Sequence, residues 1–165
     1  MIAMYISVDN DTLAILKTLS GEDLINKLAK LENAPNAQTV DIGKLWDVIH
    51  FVLTKHSATN PVPDNFLSEA IVGIETFSEE ADDFISYSEW GMVAEIAEAL
   101  DKVDFAKLMK NQNLKDWRQY KLFPKGIWDD KKENLTKEMT ESFNELRTFY
   151  GNALDNGDNV VVRIL

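Results

Sequence analysis

An α+β fold is predicted for this chain: a small, mostly antiparallel sheet packed with several helices, in a single domain spanning residues 1–165. Three observations predict it. Short runs of strand character lie at both ends and near the middle, at 2–8, 84–87 and 160–165. Between them apolar residues recur at helical spacing, most clearly over 24–31, 93–100 and 135–154. No internal repeat, low-complexity tract or clear linker divides the chain, and its length suffices for one substantial core.

Residues 2–8 read as the first strand, and Asp9 is placed to cap a short helix over about 10–19. Ser20-Gly21-Glu22-Asp23 caps a second helix to about residue 31, with Leu24, Ile25, Leu28 and Leu31 on one face. Pro35 marks a turn within 33–36, and 39–42 is an extended lead-in to a helix that ends near residue 54. Pro61 and Pro63 make 55–65 a loop. The apolar run 66–74 fits a helix or a strand. Residues 84–87 read as a strand, with Ser88 as N-cap of a helix to about residue 100 that buries Val93, Ile96, Ala97 and Leu100. Asp104 caps a shorter helix containing Phe105, Leu108 and Met109. The last helix spans about 130–154, where Leu135, Met139, Phe143, Leu146, Phe149, Tyr150 and Leu154 form one stripe. Gly157 closes it by taking the left-handed conformation. The strand at 160–165 is expected to pair with the first.

Composition narrows the functional classes. A 45% hydrophobic and 27% charged content is that of an ordinary folded globular protein. No apolar run approaches the roughly 18 residues of a membrane span, and Met1-Ile2-Ala3-Met4-Tyr5-Ile6 lacks the basic region of a secretory signal. Without cysteine there is no disulfide, thiolate metal site or cysteine nucleophile. A cytoplasmic location fits these features. The net charge of −11 is uneven: residues 1–100 carry 17 acids against 5 lysines, whereas 101–165 carry 12 bases against 11 acids. Such acidity repels a phosphate backbone and argues against nucleic-acid binding. It suits a basic protein partner, and it equally serves solvation.

The stretch from Asp41 to Thr54 reads as a mostly buried helix with a narrow polar stripe of Asp47, His50 and Thr54. Asp47 lies three residues before His50 and Thr54 four after, so each pair can touch. A carboxylate beside an imidazole can fix its tautomer, as in acid–base sites. With Lys44 and Trp46, these form a candidate binding set. One helix face lacks a nucleophile, an oxyanion site and a substrate clamp, which argues against catalysis. A histidine beside a tryptophan on a core helix also serves as a hydrogen-bonded packing residue. His56 falls in the loop. No His-Glu-x-x-His spacing exists, so no metal is expected, and the seven scattered glycines build no phosphate cradle, so no cofactor is expected. The acidic run Glu79-Glu80-Ala81-Asp82-Asp83 is a place for a hard cation but lacks the calcium-loop pattern.

From Lys115 to Trp128, bases alternate with aromatics. Trp117, Arg118, Tyr120 and Trp128 form a candidate partner surface, because these residue types dominate protein-binding hot spots. The other reading makes Trp117, Phe123 and Trp128 core anchors of an irregular connection.

The pattern Asp41-x-x-Lys44-x-Trp46-x-x-Ile49-His50-x-x-Leu53-Thr54 resembles the signature helix of the YfbM-like proteins, a bacterial family of unknown function. Leu67, Ala70, Ile71, Gly73, Tyr87 and Val93-Ala94-Glu95 continue the resemblance. So do Phe123-Pro124-x-x-Ile127-Trp128-Asp129 and Leu146-Arg147-x-Phe149-Tyr150, which extends it over the whole domain. Lys55 and Ile74 depart from it, each standing where a glycine is usual. The resemblance implies an α+β fold and a bacterial cytoplasmic setting, and no activity. The residues then favour a non-enzymatic protein-binding module, of which an immunity-type inhibitor of a basic target is one form. The competing expectation is a small-molecule site or an enzyme built around Asp47, His50 and Thr54.

Overall fold

The two ends of the chain pair with each other in the middle of one antiparallel sheet. The computed structural model describes residues 1–78 and 83–165. In chain order the first half comprises β1 (Ala3–Val8), α1 (Asn10–Leu16), α2 (Gly21–Glu32), β2 (Thr39–Asp41), α3 (Trp46–Thr54), α4 (Phe66–Val72) and β3 (Glu75–Ser78). The second half comprises β4 (Phe84–Ser88), α5 (Trp90–Asp101), α6 (Phe105–Lys110), α7 (Leu114–Trp117), α8 (Lys132–Asn156) and β5 (Asn159–Ile164). The strand order is β2-β1-β5-β4-β3, and every neighbouring pair is antiparallel. The expected pairing of the terminal strands runs from Ala3 opposite Ile164 to Val8 opposite Asn159.

Successive strand residues point to opposite faces, and both faces of β5 are covered. Val160, Val162 and Ile164 face a large core built with α3 to α8, while Val161 faces a smaller one with Leu13, Leu16, Leu24 and Leu28 of α1 and α2. The apolar stripe of α8 is buried as its spacing requires: Leu135, Met139, Phe143, Leu146, Phe149 and Tyr150 all lie in the large core. Gly157, at φ 70°, ends that helix, and the Gly157 and Asp158 amides donate back to the Leu154 and Ala153 carbonyls.

Several boundaries differ from the sequence reading, each for a local reason. The apolar run after residue 65 is a helix, because the Asn65 side chain caps it by accepting the Leu67 and Ser68 amides at 3.0 Å. Gly73, at φ 73°, then turns the chain into β3, a strand the sequence did not announce. A Cβ at Gly73 would collide with the Ser86 side chain, so the position requires glycine twice over. Ser88 is not an N-cap: it belongs to β4, opposite Val160, and Glu89 occupies the cap position of α5. The helix expected after residue 42 opens with a 3₁₀ turn at Gly43–Leu45, where Asp41 accepts the Gly43 amide at 2.7 Å. Of the acidic run at 79–83, residues 79–82 lie outside the described residues. Asp83 pairs with Arg163 of β5 at 3.0 Å, and Glu32 of α2 approaches the same guanidinium at 3.3 Å.

Candidate functional site

Helix α3 is apolar on nearly every side, and its burial leaves its few polar groups dependent on internal partners. Asp47 is 1% exposed. Its Oδ1 accepts the Ser57 hydroxyl at 2.8 Å and the Ala58 amide at 2.6 Å, and its Oδ2 accepts the Phe123 amide at 2.7 Å. One carboxylate therefore ties the loop after α3 and the connection after α7 to the same helix. It makes no hydrogen bond to His50, so the expected contact between those two side chains is replaced by contacts to other segments.

His50 is 0% exposed. Its Nδ1 lies 2.7 Å from the His56 carbonyl oxygen, which can only accept, so Nδ1 carries the proton. Its Nε2 then accepts the hydroxyl of Ser68, 2.7 Å away on α4. Ser68 in turn accepts the Val62 amide at 3.0 Å. Thr54 donates to the His50 carbonyl at 2.8 Å and accepts the His56 amide at 3.2 Å. Burial pushes the imidazole below its ordinary titration range, against the His56 carbonyl and the Asp47 carboxylate, which favour the charged form. A serine hydroxyl donating to a histidine, whose far nitrogen is oriented by a third group, has the connectivity of an activated nucleophile. Here Ser68 is also 0% exposed and holds a backbone amide, so the chain of bonds fastens the 55–65 loop between α3 and α4. Lys55 completes that fastening: it sits at φ 68°, the left-handed conformation in which a glycine would be at ease.

The aromatic–basic stretch rests on the same helix. Trp46 stacks on Phe123 with centroids 5.8 Å apart and planes at 27°. Phe51 meets Trp117 edge-on at 6.3 Å and Tyr120 at 4.6 Å. Trp117 is 1% exposed and donates its indole N–H to Gln112, which makes it an interior anchor and not part of a surface. Arg118 and Tyr120 are exposed on a 3₁₀ turn at Arg118–Tyr120. The Arg118 guanidinium lies 5.9 Å over the Trp128 ring and 3.6 Å from Asp129. Lys44 is exposed beside a hollow of about 440 Å³ that it shares with Pro124, Ile127 and Glu138. The two regions singled out in the sequence are thus in contact: α3 packs against Trp117, Tyr120 and Phe123, with Arg118 exposed and Trp128 half-buried beside them. Sequence reasoning missed Ser57 and Ser68, which supply the stripe's real partners. A buried histidine signals that partners must exist, but nothing local names a serine 18 positions away.

Among the described residues no group of three histidine, aspartate or glutamate side chains is placed to hold a metal ion. Among the same residues no helix is long and apolar enough to cross a membrane.

A family model for a domain of unknown function, DUF1877, matches residues 1–163. The chain belongs to the DUF1877 family. A protein similar to this DUF1877 chain is Protein YfbM of Escherichia coli (strain K12), 22% identical over 166 residues that include all of this chain and 98% of the relative. The crystal structure of YfbM, described as a protein of unknown function, superposes over the full length of both chains with a TM-score of 0.76. At that identity the likeness establishes the DUF1877 fold, an α+β arrangement, and leaves the role of the surface to its own geometry.

Proposed function

We propose that the chain is a cytoplasmic, non-enzymatic protein-binding module whose contact surface is formed by Arg118, Tyr120 and Trp128. Its more specific form is an immunity-type inhibitor of a basic protein. The observation that carries the reading is Tyr120, which is 47% exposed yet held against Phe51 of a buried helix. Beside it Arg118 is held over Trp128. Aromatic and arginine side chains fixed before binding lose little freedom when a partner arrives, which favours them as hot spots. The net charge of −11 would speed encounter with a basic partner. The polar stripe of α3 supports the same reading from the other side, since Asp47, His50 and Thr54 all bond to groups of the chain itself.

The test is capture from host lysate by the immobilised chain at low salt, beside a chain carrying Arg118→Ala and Tyr120→Ala. A basic protein held by the first, released by high salt and bound at least about tenfold more weakly by the second supports the proposal. Equal retention by both chains overturns the assignment of the surface. Failure to hold any protein overturns the module itself.

A further inference from the structure

A hollow of about 650 Å³ runs between β2 and α8, lined by residues 37–41 and by Asn144, Glu145, Thr148, Phe149 and Asn152. Strand β2 is the outermost strand on its side of the sheet. Its pairing with β1 shows which of its main-chain groups are in use. The Ser7 amide donates to the Gln38 carbonyl at 3.0 Å, the Ile42 amide donates to the Ala3 carbonyl at 3.1 Å, and Tyr5 stands opposite Val40. Residues 38, 40 and 42 therefore face β1. By the alternation of an antiparallel ladder, the N–H and C=O groups of Thr39 and Asp41 point the other way, out of the sheet. Both residues are exposed.

Helix α8 forms the facing wall. Asn144, Thr148 and Asn152 recur every four residues along its exposed side, with Glu145 next to them. Amides and hydroxyls at this spacing suit the polar groups of an extended chain more than an apolar anchor. The charge of the lining is acidic: Asp41 and Glu145 line the groove, and the nearest cation on its wall, Arg147, is outside the lining and bonded to Asn144 at 2.8 Å.

We propose that this groove binds an extended peptide segment bearing a basic residue, which adds beside β2 as a further strand and lays alternate side chains against α8. An open strand edge flanked by a helix is a setting in which main-chain hydrogen bonds supply affinity and neighbouring pockets supply choice. Charge selects the occupant. A second copy of this chain pairing edge to edge would bring two chains of −11 together and set one acidic groove against another, which disfavours self-association. A basic segment of another protein meets complementary charge. The groove shares no residue with the surface at Arg118, Tyr120 and Trp128, so the two proposals can fail separately.

The probe is an acetylated, amidated Val-Lys-Val-Lys-Val peptide, titrated while amide exchange is followed by NMR. The expected result is slowed exchange at the Thr39 and Asp41 amides, together with shifts along Asn144, Thr148 and Asn152. Thr39→Pro removes an outward N–H without taking a bond from β1, and a proline is tolerated at such an edge position. It should weaken binding about tenfold or more, as one lost hydrogen bond implies. The same peptide N-methylated at alternate residues should lose binding to the unaltered chain, which keeps the test valid if the proline variant fails to fold. Glu145→Lys should weaken the lysine peptide, whereas Arg118→Ala with Tyr120→Ala should leave it bound. Binding indifferent to both the proline and the N-methyl groups overturns the proposal. So does exchange unchanged at Thr39 and Asp41, or sedimentation showing self-association that Thr39→Pro abolishes.

Discussion

Helix α3 and the connection over residues 114–129 touch through Phe51 against Tyr120 and through Asp47 on the Phe123 amide. Their polar groups nevertheless meet different surroundings. On α3 every stripe residue has internal partners: three for Asp47, three around the His50 ring, and the turn around residue 56 for Thr54. On the connection, Arg118 and Tyr120 keep much of their surface in water after making their own contacts. Residue type alone makes the stripe the stronger candidate for chemistry. Partner satisfaction reverses that ranking: a buried, fully bonded carboxylate and imidazole hold structure, and the exposed groups they support are free to meet another molecule. Substitutions can break that division, beginning with the group whose loss should cost most.

Asp47→Ala leaves the Ala58 and Phe123 amides and the Ser57 hydroxyl without their acceptor. Each unsatisfied buried group costs about 1–3 kcal/mol, so a total near 4 kcal/mol is expected from urea denaturation. Exchange at the Ala58 and Phe123 amides should accelerate with it. Because the same side chain pins the connection, partner capture should fail along with stability. A loss below about 1 kcal/mol would show that Asp47 does not pin the connection.

His50→Gln removes the acceptor for Ser68 and the donor to the His56 carbonyl, and should cost about 2 kcal/mol. Its pH dependence is more telling. Burial holds the folded-state value below the unfolded one, so as pH falls the unfolded chain takes up a proton first. The stability this group contributes is present above about pH 6.5 and is lost as pH drops through that range toward the folded value. The parent chain should therefore lose more stability than His50→Gln between about pH 7.5 and about pH 5.5. Parallel profiles would mean that the ring titrates in contact with water, and would return it to the set of candidate site residues.

Periodic apolar spacing makes the cores of α2, α5 and α8 readable in the sequence alone, as it does β5 with its run of valines. Shorter elements are decided by distant neighbours. Strand β3 begins with Glu75 and exists because β4 lies beside it, and Ser88 suits a cap or a strand until β5 claims it. The site divides in the same way. Spacing puts Asp47, His50 and Thr54 on one face, but the partners of Asp47 lie 10, 11 and 76 positions away. A helical wheel reports which groups share a face and says nothing of what that face meets.

Lys55 tests the loop those partners hold. A non-glycine residue in the left-handed region costs about 1–2 kcal/mol, whereas glycine adds about 0.5–1 kcal/mol of unfolded-state freedom. Lys55→Gly should thus stabilise the chain by roughly 0.5 kcal/mol and raise its melting temperature by a few degrees at most, measurable by calorimetry. A fall in melting temperature would show that the lysine side chain contributes more than its backbone strain removes.

The smallest effect on stability is expected where the largest effect on binding is. Arg118 faces Asp129 at 3.6 Å, but both side chains are 70% exposed, so that ion pair adds little. Its place over Trp128, at 5.9 Å from the ring centroid, is at the outer edge of a cation–π contact and adds about 0.5 kcal/mol at such an exposed site. Arg118→Ala should therefore shift the unfolding free energy by no more than about 0.5 kcal/mol. If Arg118 is a hot spot, partner affinity should nonetheless fall about thirtyfold, the equivalent of about 2 kcal/mol. The ratio of the two effects is the discriminating quantity, since Asp47→Ala impairs both and Arg118→Ala should impair one. Should Arg118→Ala lower stability and binding in proportion, the exposed groups would belong to the scaffold after all, and the division between scaffold and surface would not hold.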